Sequence, residues 1–375
     1  MSFVVIRTIH PIGQGAFYSE RFELDNQVIA NIVYDCGTST KPKKKAENYV
    51  SVNDMDKIDI LFISHFDSDH VCLLETLMNS VSEIGCVVLP ALPSGIYKQI
   101  LGYIITDKIS LSLINNPDIF FQNKCKKIIY VDRNDPFNDS ELQKTDQVSS
   151  GEVTDVDRIQ SGTHIQNGLS ISISKLHSIW KFKSYHIFDY GLVDKFLKVY
   201  KSELDEFTKN KNASRKLIKK LRDGFKKYYK NLNDYSLLMY SGPVETSELT
   251  SVSFSSCGGN RFIHCHSKLL AGCLYTGDAN FDMKRFDIIN YSKTILGMDI
   301  VQIGLVQIPH HGSATSYTPG ILTAFPAIDY FLSCGTKNNY CHPSYKVVSS
   351  VMGLANNLMI ITEEKNTKVE QKIEI

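Results

Sequence analysis

Residues 58–70 read Ile58-Asp59-Ile60-Leu61-Phe62-Ile63-Ser64-His65-Phe66-Asp67-Ser68-Asp69-His70. A short apolar run gives way at once to two imidazoles and two carboxylates. A run of this length bounded by polar residues predicts a buried strand over 58–64, and that strand delivers His65 at its end. A tight turn after it can gather four side chains round two adjacent cations, His65 and Asp67 facing one, Asp69 and His70 facing the other. Imidazole suits zinc, copper, iron and nickel, whereas carboxylate oxygen shifts preference toward harder ions such as manganese or magnesium. The competing reading of the same residues is an exposed polar turn with Asp67 or Asp69 capping a helix.

Working outward, strand patterns crowd the start of the chain at 3–9, 17–24 and 28–34. Gly13-Gln14-Gly15 turns the first hairpin, and Tyr34-Asp35-Cys36-Gly37 closes the third strand. Residues 41–45 (KPKKK) read as a solvated basic loop, 71–80 as a helix and 86–89 as a strand. Residues 134–151 form a polar loop. The alternating stretch 169–176 (LSISISKL) predicts a strand ending at His177, and 235–240 predicts another. Between them, 188–232 is rich in Lys, Leu, Phe and Tyr and lacks Pro, which predicts two helices broken near 210–214. The strand over 269–275 runs into Thr276-Gly277-Asp278. The strand over 301–308 runs into Pro309-His310-His311-Gly312-Ser313, and that over 330–334 runs into Gly335 and then Cys341-His342-Pro343. Four polar, metal-capable clusters at strand ends suit a layered α/β enzyme with its site along one edge of its sheets. His264 and His266 flank Cys265 and read as a surface hairpin.

The chain has 375 residues, 43% hydrophobic and 22% charged, enough for a substantial core. Its formal net charge of +1 means that any case for a polyanionic partner must be local. Nine cysteines, an odd number with no CxxC pair, argue against a disulfide framework and for a reducing cytoplasm. No apolar run approaches the roughly 18–20 residues of a membrane span, and the first fifteen residues read as a strand and turn rather than a signal segment.

The order HxDxDH, TGD, PHHGS and, after a strand and glycine, HP resembles the metallo-β-lactamase superfamily, and within it the branch containing the hydrolase domain of the DNA-uptake protein ComEC. The opening hairpin and Asp35-Cys36-Gly37 fit the same pattern. The resemblance covers most of the chain apart from about 188–232 and the loops near 134–162. It implies a four-layered αβ/βα sandwich with a helical insertion: one domain over 1–375, with a basic helical insertion at 184–234. It implies two divalent metal ions, zinc or manganese, with Asp278 bridging them. His177 is the candidate third imidazole for the His65/Asp67 ion, and His342 a ligand of the Asp69/His70 ion. Asp69, His310 and His311 are candidate catalytic residues, ligating metal or positioning a phosphate. The backbone turn at Gly312-Ser313 could donate to an anionic oxygen. Two departures stand out: Asp67 occupies a position where many relatives have His, and Val71-Cys72 stand where the ComEC-like branch commonly has two glycines.

Such a site implies a metal-dependent hydrolase in which cations acidify bound water and polarise the scissile group. Residues 209–230 hold ten Lys or Arg and one acid, Asp223. Lys216, Lys219, Lys220, Lys226 and Lys227 are therefore candidate contacts to nucleic-acid phosphates, against the alternative of a solvated helix face. The leading expectation is a phosphodiesterase or nuclease. A hydrolase of a cyclic nucleotide, thioester or lactone, or a non-catalytic module, are the alternatives. A free-standing relative of that branch would act in the cytoplasm, off the membrane and beside a protein partner.

Overall fold

The computed structural model describes residues 2–92, 108–132, 153–187, 190–209, 214–228, 236–245, 251–256, 261–262, 270–281, 288–291, 295–354 and 356–375. Two mixed sheets dominate them. The first runs in space Arg261–Phe262, Ser251–Ser256, Val369–Glu374, Phe3–Ile9, Gly15–Leu24, Gln27–Thr38, Lys57–Phe62, Glu83–Pro90, Cys125–Asp132, His164–Gln166. The second runs Asn357–Ile361, Asp329–Ser333, Ile303–Gln307, Gly272–Tyr275, Leu237–Pro243, Trp180–His186, Ser170–Ser172, Thr154–Asp155.

Three apolar clusters define the layers. Val5, Phe22, Ile60, Phe62 and Val88 of the first sheet meet Trp180, Phe182, Met239, Leu305 and Phe331 of the second. On the other face of the first sheet, Val33, Leu61, Val87 and Ile128 pack with Leu74, Leu77, Leu113 and Phe121 from helices. On the other face of the second sheet, Leu274, Val306 and Leu332 pack with Ile321, Val347 and Val351. Helix, sheet, sheet, helix is the αβ/βα sandwich that the sequence resemblance implied. The apolar run at Ile60–Ile63 now has its cause. Ile60 and Phe62 face the partner sheet and Leu61 and Ile63 face helices, so neither side of this parallel-paired strand meets water.

Several expectations need revision. Residues 41–45 are not simply a loop: a helix begins inside them at Lys44–Ser51, with only Ala46 and Val50 buried. The helix expected over 71–80 is two short ones, Ser68–Val71 and Leu74–Ser80. The insertion begins later than 184, because 184–186 belong to the strand Trp180–His186. It holds three helices, Tyr190–Val199, Lys201–Lys209 and Arg215–Tyr228, rather than two. The polar loop over 134–151 and the His264/His266 hairpin lie outside the described residues.

The helical segment leaves one strand of the second sheet at His186 and returns to its neighbour at Leu237, the residue paired with His186. Leu237 N–H donates to Ser64 O at 2.7 Å, so both roots of the segment lie beside the end of the strand that delivers His65. Its apolar residues Phe196, Leu204, Leu217, Leu221 and Phe225 join the cluster outside the first sheet. The segment therefore passes from one layer of the sandwich to the other at this edge.

Candidate metal centre

The parallel strands of both sheets end at one edge. Lys57–Phe62 feeds Ser64 and His65; Gly272–Tyr275 feeds Asp278; Ile303–Gln307 feeds His310 and His311; Asp329–Ser333 leads to the loop bearing His342. A crevice at the carboxyl ends of parallel strands is where α/β folds place ligands. Asp69, His70, Asp278 and His311 each offer one ligand atom, and these atoms lie within 4.8 Å of one another.

Local backbone devices aim these groups. Phe17 pairs with Cys36 and Tyr18 with Tyr34, so Asp35 is the extra residue of a β-bulge, at φ 57°. Its carboxylate accepts from Ser64 N–H at 2.7 Å, Ser64 Oγ at 2.6 Å and His70 Nδ1 at 2.8 Å. Gly37 lets the Ser68–Val71 helix lie on the strand: a Cβ there would sit 2.5 Å from Val71 N. Val71 is fully buried in the outer cluster of the first sheet, and Cys72 Sγ donates to Thr38 O, which is how this chain fills the place of the two glycines. His310 and His311 both have left-handed backbones, at φ 48° and 54°. Such strain in non-glycine residues persists only where neighbours enforce it; here His310 N–H donates to Gly277 O at 3.2 Å, tying the two ligand loops together.

Four imidazoles share one pattern: Nδ1 meets an outer partner and Nε2 turns to the centre. The outer partners are Ser64 Oγ for His65 (2.8 Å), Asp35 for His70, Ser316 Oγ for His310 (2.7 Å) and Ser333 O for His311 (2.8 Å). Metal-binding histidines are held in this way, the outer bond fixing both tautomer and ring orientation. Inward, His70 Nε2 is 3.1 Å from Asp278 Oδ1, His311 Nε2 is 3.4 Å from Asp69 Oδ2 and 3.7 Å from Asp278 Oδ1, and His310 Nε2 is 3.7 Å from Asp278 Oδ2. His65 Nε2 is 3.9 Å from Asp67 Oδ2. The inward nitrogens of His65, His70 and His311 are buried and lack hydrogen-bond geometry despite these short separations. Donor atoms packed round a common point without bonding one another fit a cation at that point.

The charges say the same. Burial, then the neighbouring charges of Asp69 and Asp278, push Asp67 up to about 7. Burial also disfavours ionised Asp278, yet His311, His70 and His310 outweigh it and hold its carboxyl well below the usual range. For Asp69 the His311 and His70 imidazoles overcome the burial penalty in the same sense. Burial alone would lower His70, but Asp278 and Asp35 raise it well above normal. Uptake of a cation by such a group would release protons, because the ligating imidazoles and carboxylates must be unprotonated.

Not every expected residue arrives here. His177 is exposed, with Nε2 2.5 Å from Val153 O. Only Ser170–Ser172 of the 169–176 stretch is strand, and His177 falls in the turn before Trp180. Trp180 begins a strand whose other end, His186, is the one at the site edge, so His177 sits at the far edge of the sheet. His342 lies outside the four-residue group, as do His65, Asp67 and His310, and His311 stands beside Asp69 and His70 within it. The anion-binding turn is absent too: Gly312 N–H donates to Pro309 O and Ser313 N–H to His310 O. Lys216, Lys219, Lys220 and Lys227 are exposed, but Lys220 is paired with Glu203; the Lys226 side chain lies outside the described residues.

Asp35, Ser64 and Ser236 carry functions that the linear pattern did not assign. Ser236 Oγ accepts from Asp278 N–H at 3.0 Å. Asp35→Asn should leave the fold intact and weaken metal affinity by about 10- to 100-fold, the usual cost of losing an outer carboxylate partner. Isothermal titration with zinc or manganese checks this, and unchanged affinity would remove Asp35 from the site.

No protein family and no curated protein matches the chain. Among solved structures, the crystal structure of a long form RNase Z from yeast is similar to it at 11% identity, with a TM-score of 0.33 over 97% of this chain. The match takes in 36% of that longer protein, so this chain spans well under half of its length.

Proposed function

We propose that this chain is a two-metal phosphodiesterase acting on nucleic acid. The observation that carries the proposal is the position of Asp278, whose two carboxylate oxygens face different imidazoles. Its Oδ1 faces His70 and His311, in one donor group with Asp69, while its Oδ2 lies 3.7 Å from His310 Nε2. The group Asp69, His70, Asp278 and His311 offers two imidazoles and two carboxylates, a donor set that suits zinc or manganese, and we assign a second ion to His65, Asp67 and His310 beside it. A carboxylate bridging two cations reduces their repulsion at the roughly 3.5–4 Å separation that such hydrolases use.

Held by these residues, divalent ions would supply acidified water and polarisation of a phosphoryl or carbonyl oxygen. The rest is done by side chains. Asp69, partly open to solvent, is placed to accept a hydrogen bond from a water and orient it. The outer bonds from Asp35, Ser64, Ser316 and Ser333 hold the four rings in position, which avoids reorganisation during the reaction.

The choice of nucleic acid is supported by the segment rooted at this edge. In Arg215–Tyr228 the apolar residues Leu217, Leu221 and Phe225 are buried while Arg215, Lys216, Lys219, Arg222 and Lys227 are exposed. Phosphate contacts of this kind add salt-dependent affinity without reading sequence. The triple change Lys216→Glu, Lys219→Glu, Lys227→Glu should cut cleavage of DNA or RNA by about tenfold or more near physiological salt and flatten its salt dependence. Hydrolysis of bis(p-nitrophenyl) phosphate should be unchanged. Equal losses on both substrates would separate the helix from substrate choice. No divalent-dependent hydrolysis of DNA, RNA or the chromogenic diester would overturn the proposal.

A further inference from the structure

His342 stands at the mouth of the centre without belonging to its donor group. Its ring centre is 5.6 Å from that of His310 and 6.4 Å from that of His311. On its outer side the exposed Tyr340 ring stacks at 5.7 Å. Asn338 fixes the loop, accepting from His342 N–H at 2.8 Å and donating to the carbonyls of His342 and Gly335 at 2.7 Å each.

The partner of this ring is Gln14, the side chain carried by the Gly13-Gln14-Gly15 turn. That turn is forced: Gly13 has φ +80°, and a Cβ on it would lie 2.3 Å from Thr40 Oγ1, whose oxygen accepts from Gln14 N–H at 2.7 Å. Gly335 N–H donates to Gln14 Oε1 at 3.2 Å, which settles which end of the amide is oxygen. Nε2 is therefore the atom 3.4 Å from His342 Nδ1. An amide nitrogen only donates, so Nδ1 accepts, and a neutral imidazole then carries its proton on Nε2. The rings of the centre are wired the other way. His70 Nδ1 donates to the Asp35 carboxylate and His311 Nδ1 to the Ser333 carbonyl. His65 Nδ1 donates to Ser64 Oγ, whose own proton goes to Asp35. Those three leave a lone pair on Nε2, as a metal ligand must. His342 has its Nδ1 lone pair engaged and a hydrogen on Nε2.

We infer that His342 is a substrate-facing hydrogen-bond donor to a phosphoryl oxygen, with Gln14 as its positioning residue, and not a metal ligand. The inference rests on the phosphodiesterase reading for its substrate and on the hydrogen-bond wiring for the rest. Gln14→Glu is the discriminating variant. A carboxylate still accepts from Gly335 N–H, but it draws the proton of the neutral His342 ring to Nδ1, which leaves Nε2 without one.

The test compares wild type, His342→Ala, His342→Gln and Gln14→Glu by metal content after zinc or manganese loading, by affinity of the loaded proteins for inorganic phosphate, and by turnover of bis(p-nitrophenyl) phosphate. Metal content and metal affinity should match wild type in both His342 variants. Phosphate affinity and turnover should fall about ten- to hundredfold in His342→Ala, the range for a hydrogen bond to a charged group. Gln14→Glu should reproduce most of that loss, and His342→Gln, which restores an N–H, should recover part of it. Loss of a bound metal in His342→Ala, or wild-type phosphate affinity in Gln14→Glu, would overturn the inference. If the wild type cleaves no phosphodiester, the substrate reading fails, while the metal and phosphate measurements still decide the role of His342.

Discussion

Asp278→Ala is expected to give a folded protein with no tightly bound divalent ion and no hydrolytic activity. The carboxylate is almost fully buried and stands between both halves of the centre, with Oδ1 toward His70 and His311 and Oδ2 toward His310. On the two-metal reading, removing it would delete one ligand from each half at once and leave the two cations with no shared anion between them. Losing several kcal/mol of Lewis-acid stabilisation corresponds to a rate loss of about a thousandfold or more. The fold should survive, since without Asp278 the neighbouring imidazoles lose the charge that favours their protonated forms and can revert to neutral. Circular dichroism, metal analysis and turnover on one preparation check all three parts. An Asp278→Ala protein that kept both its metal and its turnover would exclude Asp278 as the bridge.

The second large effect lies away from the centre. Arg7 and Glu20 are buried between the sheets, 2.6 Å apart, and every strong partner is supplied. Arg7 also donates to Gln371 Oε1 and to Ala271 O, while Glu20 accepts from Tyr275 Oη at 2.9 Å and from Ser241 Oγ. Ser241 and Tyr275 belong to the second sheet and Ala271 directly precedes its strand Gly272–Tyr275, so this network joins the layers within an otherwise apolar interface. Arg7→Met removes one charge and leaves the Glu20 carboxylate buried without its cation. The cost should be about 3–5 kcal/mol, the usual penalty for breaking such a pair from one side. The double variant Arg7→Met, Glu20→Gln should regain much of it, because a matched uncharged pair no longer carries an uncompensated charge. Denaturant unfolding measures both. A single variant within about 1 kcal/mol of wild type would show that the pair is solvated on a path the buried geometry does not provide.

What the sequence reveals about this protein depends on how local the cause is. The turn at His65–His70 is legible because the residues adjoin, and Asp278, His310 and His311 because each follows an apolar strand at once. The strand at Lys57–Phe62 is legible for the same reason. His177 misleads because LSISISKL has the alternation of a strand, yet only three of its residues enter the sheet and the chain then turns. The neighbouring strand Trp180–His186 has the true alternation, with Trp180, Phe182, Ser184 and His186 buried, but lysines fill its other face and mask it. The Lys44–Ser51 helix hides within a basic stretch because it buries just two side chains. Asp35 is one aspartate in a strand until the fold brings it to His70, and the tautomer of His342 is set by a glutamine 328 residues away. No pattern of spacing encodes such contacts.

On the two-metal reading, stretches far apart in the chain would converge on two cations that share Asp278. Anomalous diffraction from crystals of the protein grown with zinc or manganese is the direct check. Two peaks about 3.5–4 Å apart are expected, a spacing set by two-metal chemistry, one in contact with Asp69, His70 and His311, the other with His65, Asp67 and His310, and both touching Asp278. A map with no peak beside Asp278, from crystals whose soaked metal is visible elsewhere, would contradict it.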